Sequence, residues 1–154
     1  MKITDLRIHE VDASHRGNWF FVVIDTDAGI QGVGEASQSG NDELVMACLR
    51  QLGERIEGND PTQPEVIWEQ MVGASAIFSG KSGRVGATAV SAIDQALWDI
   101  AGKAAGLPAW RLLGGRRRDR VRCYANLNRG TTDRSPEGFA QAAVAAVEAG
   151  FRAV

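Results

Sequence analysis

The side chains that most often carry metals, nucleophiles or protons are scarce here: 154 residues contain two histidines and two cysteines. His9 and His15 have no further ligands at zinc spacing and no neighbouring nucleophile, which excludes a zinc site or a Ser-His-Asp triad built from adjacent residues. Cys48 and Cys123 are far apart and lack a CxxC pattern, so both read as small reduced core residues, and a cytoplasmic setting is expected. An excess of one charge is also missing. The formal net charge of -2 provides no global field for nucleic acid or an anionic membrane, and neither partner is expected. Apolar runs fall short of the roughly twenty residues that span a bilayer, and no apolar stretch follows Lys2 to direct export.

What is present is an ordinary globular composition, 44% hydrophobic and 23% charged, which at this length supports one compact core. Its most patterned stretch runs from Arg84 to Gly115. Val90, Ile93, Leu97, Ile100, Ala101 and Ala104 recur at steps of three and four, predicting the buried face of a long helix. Gln95, Asp99 and Lys103 fall on another face, expected to meet water, with Asp99 one turn N-terminal to Lys103. Small residues such as Gly86, Ala89 and Ala92 let other backbones approach, and Gly106 with Pro108 supplies the stop.

Before this helix, Met1 to Val11 reads as a strand, interrupted by the polar stretch Asp12 to Asn18. Trp19 to Ile24 is rich in aromatic and β-branched residues, and a turn at Asp27 to Gly29 leads to a third strand over Ile30 to Ala36, so a three-stranded antiparallel meander is predicted. Asn41 is the expected N-cap of a helix carrying Val45, Leu49, Leu52 and Ile56. Pro64 opens another with Ile67, Trp68 and Met71, followed by a loop over Gly73 to Gly83. Beyond Gly115, Val121 to Ala125 reads as a strand, Asn126 to Arg134 as a polar loop, Ser135 and Pro136 as a helix start, and Phe151 to Val154 as a further strand. One strand-helix-strand unit leaves parallel edges unpaired, so the expectation is the leading piece of a longer α/β protein.

Short motifs give little on their own. Gly80-Lys81-Ser82 lacks the earlier glycine of a phosphate loop, which falls at Ser75, so a loop able to cover a ligand is the better reading. Gly32-Val33-Gly34-Glu35 lacks the final glycine and helix of a dinucleotide fingerprint, and tight packing accounts for its glycines. Glu35 could serve as a site carboxylate, but a structural hydrogen-bonding role at the strand end is at least as strong a reading. His15, with Arg16, Asn18 and Trp19, lies in or beside a loop and could grip an anionic, hydroxylated ligand, or simply be exposed. Asp94 and Trp98, one turn apart, predict a polar contact between elements. The arginines at 116, 117, 118 and 120 read as a solvated linker. No complete catalytic set is present.

Taken together, Gly32-Val33-Gly34-Glu35, Ser91-Ala92-Ile93-Asp94, Ala96-Leu97-Trp98-Asp99-Ile100, Gly102-Lys103, Gly106-Leu107-Pro108, Leu112 to Gly115 and Val121 to Tyr124 resemble the enolase superfamily, in particular its mandelate racemase and muconate lactonizing enzyme group. The resemblance covers nearly the whole chain. It implies an α+β capping domain over residues 1–115, with a three-stranded antiparallel meander plus helices, followed over residues 116–154 by the first βα unit of a truncated modified TIM barrel. It also implies loops at about Asp12 to Trp19 and Ile77 to Arg84 that close over substrate, with His15, Arg16, Trp19, Phe78 and Lys81 as contacts. Asn126 and Asn128, at the C-terminal end of the first barrel strand, either face substrate or order the loop.

The family's chemistry removes a proton alpha to a carboxylate, with Mg2+ stabilising the enediolate. Its metal ligands and bases lie on later barrel strands, so no catalytic or metal-binding residue is assigned among these 154. An acid-sugar dehydratase is the expected activity of the implied enzyme, with a racemase, epimerase or cycloisomerase as the alternative and a homo-oligomer as the expected assembly. His15, Arg16 and Lys81 favour a polar anionic substrate, whereas Trp19 and Phe78 suit an apolar one. If the chain truly ends at Val154, the reading becomes a non-catalytic binding or assembly domain.

Overall fold

The structure is a computed structural model and describes residues 1–14, 17–38, 40–73 and 83–154. These divide into two compact units, Met1–Gly115 and Arg116–Val154.

In the first unit, β1 (Ile3–Ser14), β2 (Gly17–Thr26) and β3 (Gln31–Glu35) form an antiparallel sheet in the order β1-β2-β3. The register pairs Ile8 with Val22, Val11 with Trp19 and Val23 with Val33. Strand β1 continues to Ser14, and Gly17 to Trp19 already belong to β2. This corrects the expected interruption at residues 12–14 and 17–18, although the register shifts between Val11 and Ser14. The reason is backbone pairing, which reaches Ser14 and Gly17 and does not need an apolar partner at every position.

Alternation places Phe20, Val22 and Ile24 of β2 on the buried side. Helices α1 (Asp42–Ile56), α2 (Pro64–Gly73) and α3 (Gly83–Ala105) cover that side. Val45, Leu49, Leu52 and Ile56 of α1, Ile67 and Met71 of α2, and Val90, Ile93, Leu97 and Ile100 of α3 join the sheet residues in one core. Fully burying each of the larger aliphatic side chains contributes roughly 1.5–3 kcal/mol. Ala104, expected on the buried face, is exposed in the last turn of α3. Trp68 of α2 stands 42% exposed.

The helix ends follow from local chemistry. Gly106, at φ 66°, lets its N–H reach the Lys103 carbonyl and the Leu107 N–H reach the Gly102 carbonyl, the paired bonds of a Schellman stop. The short helix α4 (Ala109–Leu112) follows Pro108. Asn41 occupies the position before α1, but its side chain makes no capping bond; Asp42 Oδ1 accepts instead from the Gln38 N–H at 2.9 Å.

The second unit contains α5 (Leu127–Gly130) and α6 (Pro136–Glu148). Ser135 caps α6 by accepting from the Gly138 N–H at 3.0 Å. The expected strand over residues 121–125 forms no ladder; a bond of 3.0 Å joins the Ala125 N–H to the Ala153 carbonyl. A strand is defined by its neighbours, and Val121 stands 75% exposed. The expected loop over 126–134 contains α5, which Asn126 nucleates as its N-cap.

Candidate functional site

The β1–β2 hairpin carries the first group of predicted contacts. Its backbone pairing reaches Ser14 and Gly17. His15 and Arg16, predicted contacts, lie outside the described residues. Trp19 stands on the hairpin opposite Val11, 54% exposed, with its ring edge-to-face with Phe21 at 6.4 Å between centroids. The amide of Asn18 donates to the Glu10 carboxylate, tying the two strands near the tip. Phe78 and Lys81, predicted on the segment between α2 and α3, also lie outside the described residues.

Within the second unit, Asn126 and Asn128 share one short element and each has a local partner. Asn126 Oδ1 accepts from the Arg129 N–H at 3.2 Å. The backbone carbonyl and Oδ1 of Asn128 accept from the Arg134 guanidinium at 3.0 and 2.8 Å, and that guanidinium lies 5.1 Å from the centre of the Phe139 ring. The Asp133 carboxyl is held below its ordinary value by the Ser135 backbone N–H, so this turn carries a fixed negative charge beside the start of α6.

Glu35 ends β3, and its backbone N–H donates to Gln95 Oε1 at 3.1 Å. Gln95 belongs to a row of α3 side chains that stays open to water, as expected, and also bonds the strand. Asp99 Oδ2 accepts from the Val33 N–H at 3.0 Å, and Lys103 Nζ donates both to the Gln31 carbonyl and to Asp99 Oδ2 at 2.7 Å. Gly32 and Gly34 make this approach possible, since a Cβ on either would strike the backbone carbonyl of Ala96 or Ala92.

One concave region was not singled out from the sequence. Glu65, Trp68, Glu69, Asp94, Trp98 and Leu113 line a cavity of about 440 Å³, and Pro64, Val66, Ala101, Ala105 and Leu112 line a neighbouring groove of about 640 Å³ that shares Glu65 and Trp98. Asp94 is half-buried there. Burial raises its carboxyl above the ordinary value, the hydrogen bond from the Trp98 side chain opposes this, and the nearby Glu65 charge adds to it. The Asp94–Trp98 contact was legible as a one-turn spacing; that Trp68 lines the same cavity was not, because no local signal links α2 to α3.

On the outer face of the sheet, the Arg7 guanidinium holds both oxygens of Asp25 at 2.6 and 3.0 Å, and Gln31 Nε2 adds a third bond at 2.6 Å. The Arg7 bond is the main reason that Asp25 is held below the usual carboxylate range. Among the described residues, no group of three or more His, Cys, Asp or Glu side chains is arranged to hold a metal ion. The donor set therefore does not fit the magnesium ion that the family implies. No described helix is long and apolar enough to cross a membrane.

With this geometry in hand, known proteins place the chain. It is 42% identical over 125 residues to the D-galactonate dehydratase of Variovorax paradoxus (strain S110), an alignment covering 81% of this chain and 31% of that protein. A provisionally assigned dehydratase from Mesorhizobium loti superposes with a TM-score of 0.86 at 37% identity, covering 98% of this chain and 40% of the other. An enolase from Agrobacterium radiobacter, provisionally a galactarate dehydratase, solved with bound Na and L-malate and an ordered active site, gives a TM-score of 0.73 at 35% identity over 80% of this chain and 30% of its own. The chain thus spans about a third of the length of the curated relatives it matches. Residues 8–114 match the mandelate racemase / muconate lactonizing enzyme N-terminal domain, and the chain belongs to that group of the enolase superfamily.

Proposed function

We propose that this chain is the substrate-selecting portion of an acid-sugar dehydratase. The observation that carries the reading is the 42% identity to a D-galactonate dehydratase across 81% of the chain. In this reading residues 1–115 are the capping domain and residues 116–154 open the barrel. The reaction removes the proton alpha to the substrate carboxylate and expels the beta hydroxyl; the resulting enol becomes a 2-keto acid.

The chain's own part is recognition. His15 and Arg16, between β1 and β2 in sequence, and Lys81, before α3, supply donors for a carboxylate and hydroxyl groups, while Trp19 and Phe78 supply apolar walls. Asn126 and Asn128 add polar contacts at the end of the first barrel strand, supported by the general position of TIM-barrel sites. Magnesium belongs to the complete enzyme in this reading, with its ligands and the catalytic bases on barrel strands beyond these residues. A cytoplasmic homo-oligomer, supported by unpaired cysteines and the family, completes the proposal.

The test uses the protein in which this segment is joined to a complete barrel, supplied with magnesium and screened against aldonic, aldaric and uronic-derived acids, D-galactonate first. A 2-keto product is the expected result. Exchange of the alpha proton with solvent deuterium and no 2-keto product would overturn dehydration in favour of racemisation or epimerisation.

A further inference from the structure

Strand β3 is an edge of the sheet, and an edge strand in water offers unpaired backbone groups to any strand that arrives. Ala36 turns its N–H toward β2, donating to the Phe20 carbonyl at 2.8 Å, and alternation along the strand turns those of Val33 and Glu35 the other way. On that side the Glu35 N–H meets Gln95, the Val33 N–H meets Asp99 and the Gln31 carbonyl meets Lys103. The three side chains are four residues apart on α3, and their partners are two residues apart on β3 in reverse order. Four helical residues advance about 6 Å and two strand residues about 6.8 Å, so helix and strand stay in step over this length. Val33 remains 46% exposed, so this edge is protected by bonding more than by burial.

We infer that Gln95, Asp99 and Lys103 stand in for a fourth strand: they seal the β3 edge and keep a strand of a second copy of this chain from pairing there. Asp99 is central to the seal, because the same oxygen that accepts from Val33 also anchors Lys103.

Residue-resolved amide exchange on the chain tests this. In Asp99→Ala the Val33 amide should exchange about tenfold faster than in the parent while Glu35 keeps its protection, and in Gln95→Ala the pattern should reverse. Asp99→Asn retains an acceptor and should leave Val33 largely protected. The triple variant Gln95→Ala/Asp99→Ala/Lys103→Ala should form concentration-dependent assemblies larger than the parent's by light scattering. Unchanged exchange at Val33 and Glu35 would overturn the seal, as would equal acceleration across buried β2 amides such as Val22 and Ile24. A folded triple variant with the parent's mass would overturn it too; if the triple variant does not fold, the two single variants decide.

Discussion

Gly32 and Gly34 are needed for what they lack. Neither has the positive φ that would demand glycine on conformational grounds; the demand comes from the α3 backbone pressed against their Cα atoms. Gly34→Ala should therefore destabilise the fold by roughly 1–3 kcal/mol, the usual range for overpacking, read as a lower urea midpoint with an unchanged slope. Asp94 offers a second test, of opposite sign. Its native carboxyl is raised above the ordinary 3.8, so the native state holds the proton more tightly than the unfolded chain does. That contribution favours folding below 3.8 and is lost as pH climbs through the raised native value. Asp94→Asn should raise stability at neutral pH, and the gain should fade by about pH 3, measured by paired denaturation curves.

At the scale of elements, helix α6 depends on its first turn: Ser135→Ala should cost about 1 kcal/mol and speed exchange at the Gly138 amide. That helix, α1, α2 and α3 were legible in the sequence because apolar periodicity, Pro64 and Pro136 at helix starts, and Gly106 at a helix stop are local signals. The exposure of the polar side of α3 was legible too, but its bonds were not: nothing near Gln95, Asp99 or Lys103 in sequence reveals that their partners lie some sixty to seventy residues upstream. The hairpin was read too short because Asp12 and Asn18 look like loop residues until backbone pairing is known. Residues 121–125 have strand composition, yet composition cannot supply a ladder partner. Of the candidate contacts, Trp19, Asn126 and Asn128 have a described place, whereas His15, Arg16, Phe78 and Lys81 fall on stretches whose sequence signals were only those of loops.

At the scale of the whole molecule, protection should be uneven. Buried β2 and α3 amides of the first unit should exchange far more slowly than those of residues 121–125, where the Ala125 N–H is the amide with a backbone partner across to 153. Acid should act through the sheet's outer face and the loop after α1. Asp25, held below 3.8 by Arg7, and Asp60, held below it by the Thr62 backbone N–H, add stability that is complete above 3.8 and lost as pH falls through their lowered values. Arg7→Met should flatten the acid limb of the stability curve, read by denaturation at a series of pH values.

The matched stepping of α3 along β3 also sets which parts of the chain are free to change length. One residue inserted between Gln95 and Lys103 would rotate everything after it by about 100° around the helix axis. One residue inserted between Gln31 and Glu35 would exchange inward and outward faces, carrying a glycine away from the helix and a side chain into it. Neither insertion is repaired by the other, because the helix and the strand count in different units. Length variation among relatives should therefore avoid these two segments and collect at the hairpin tip and between α2 and α3, so the stretches proposed to choose the substrate can diversify while the scaffold beneath them keeps count.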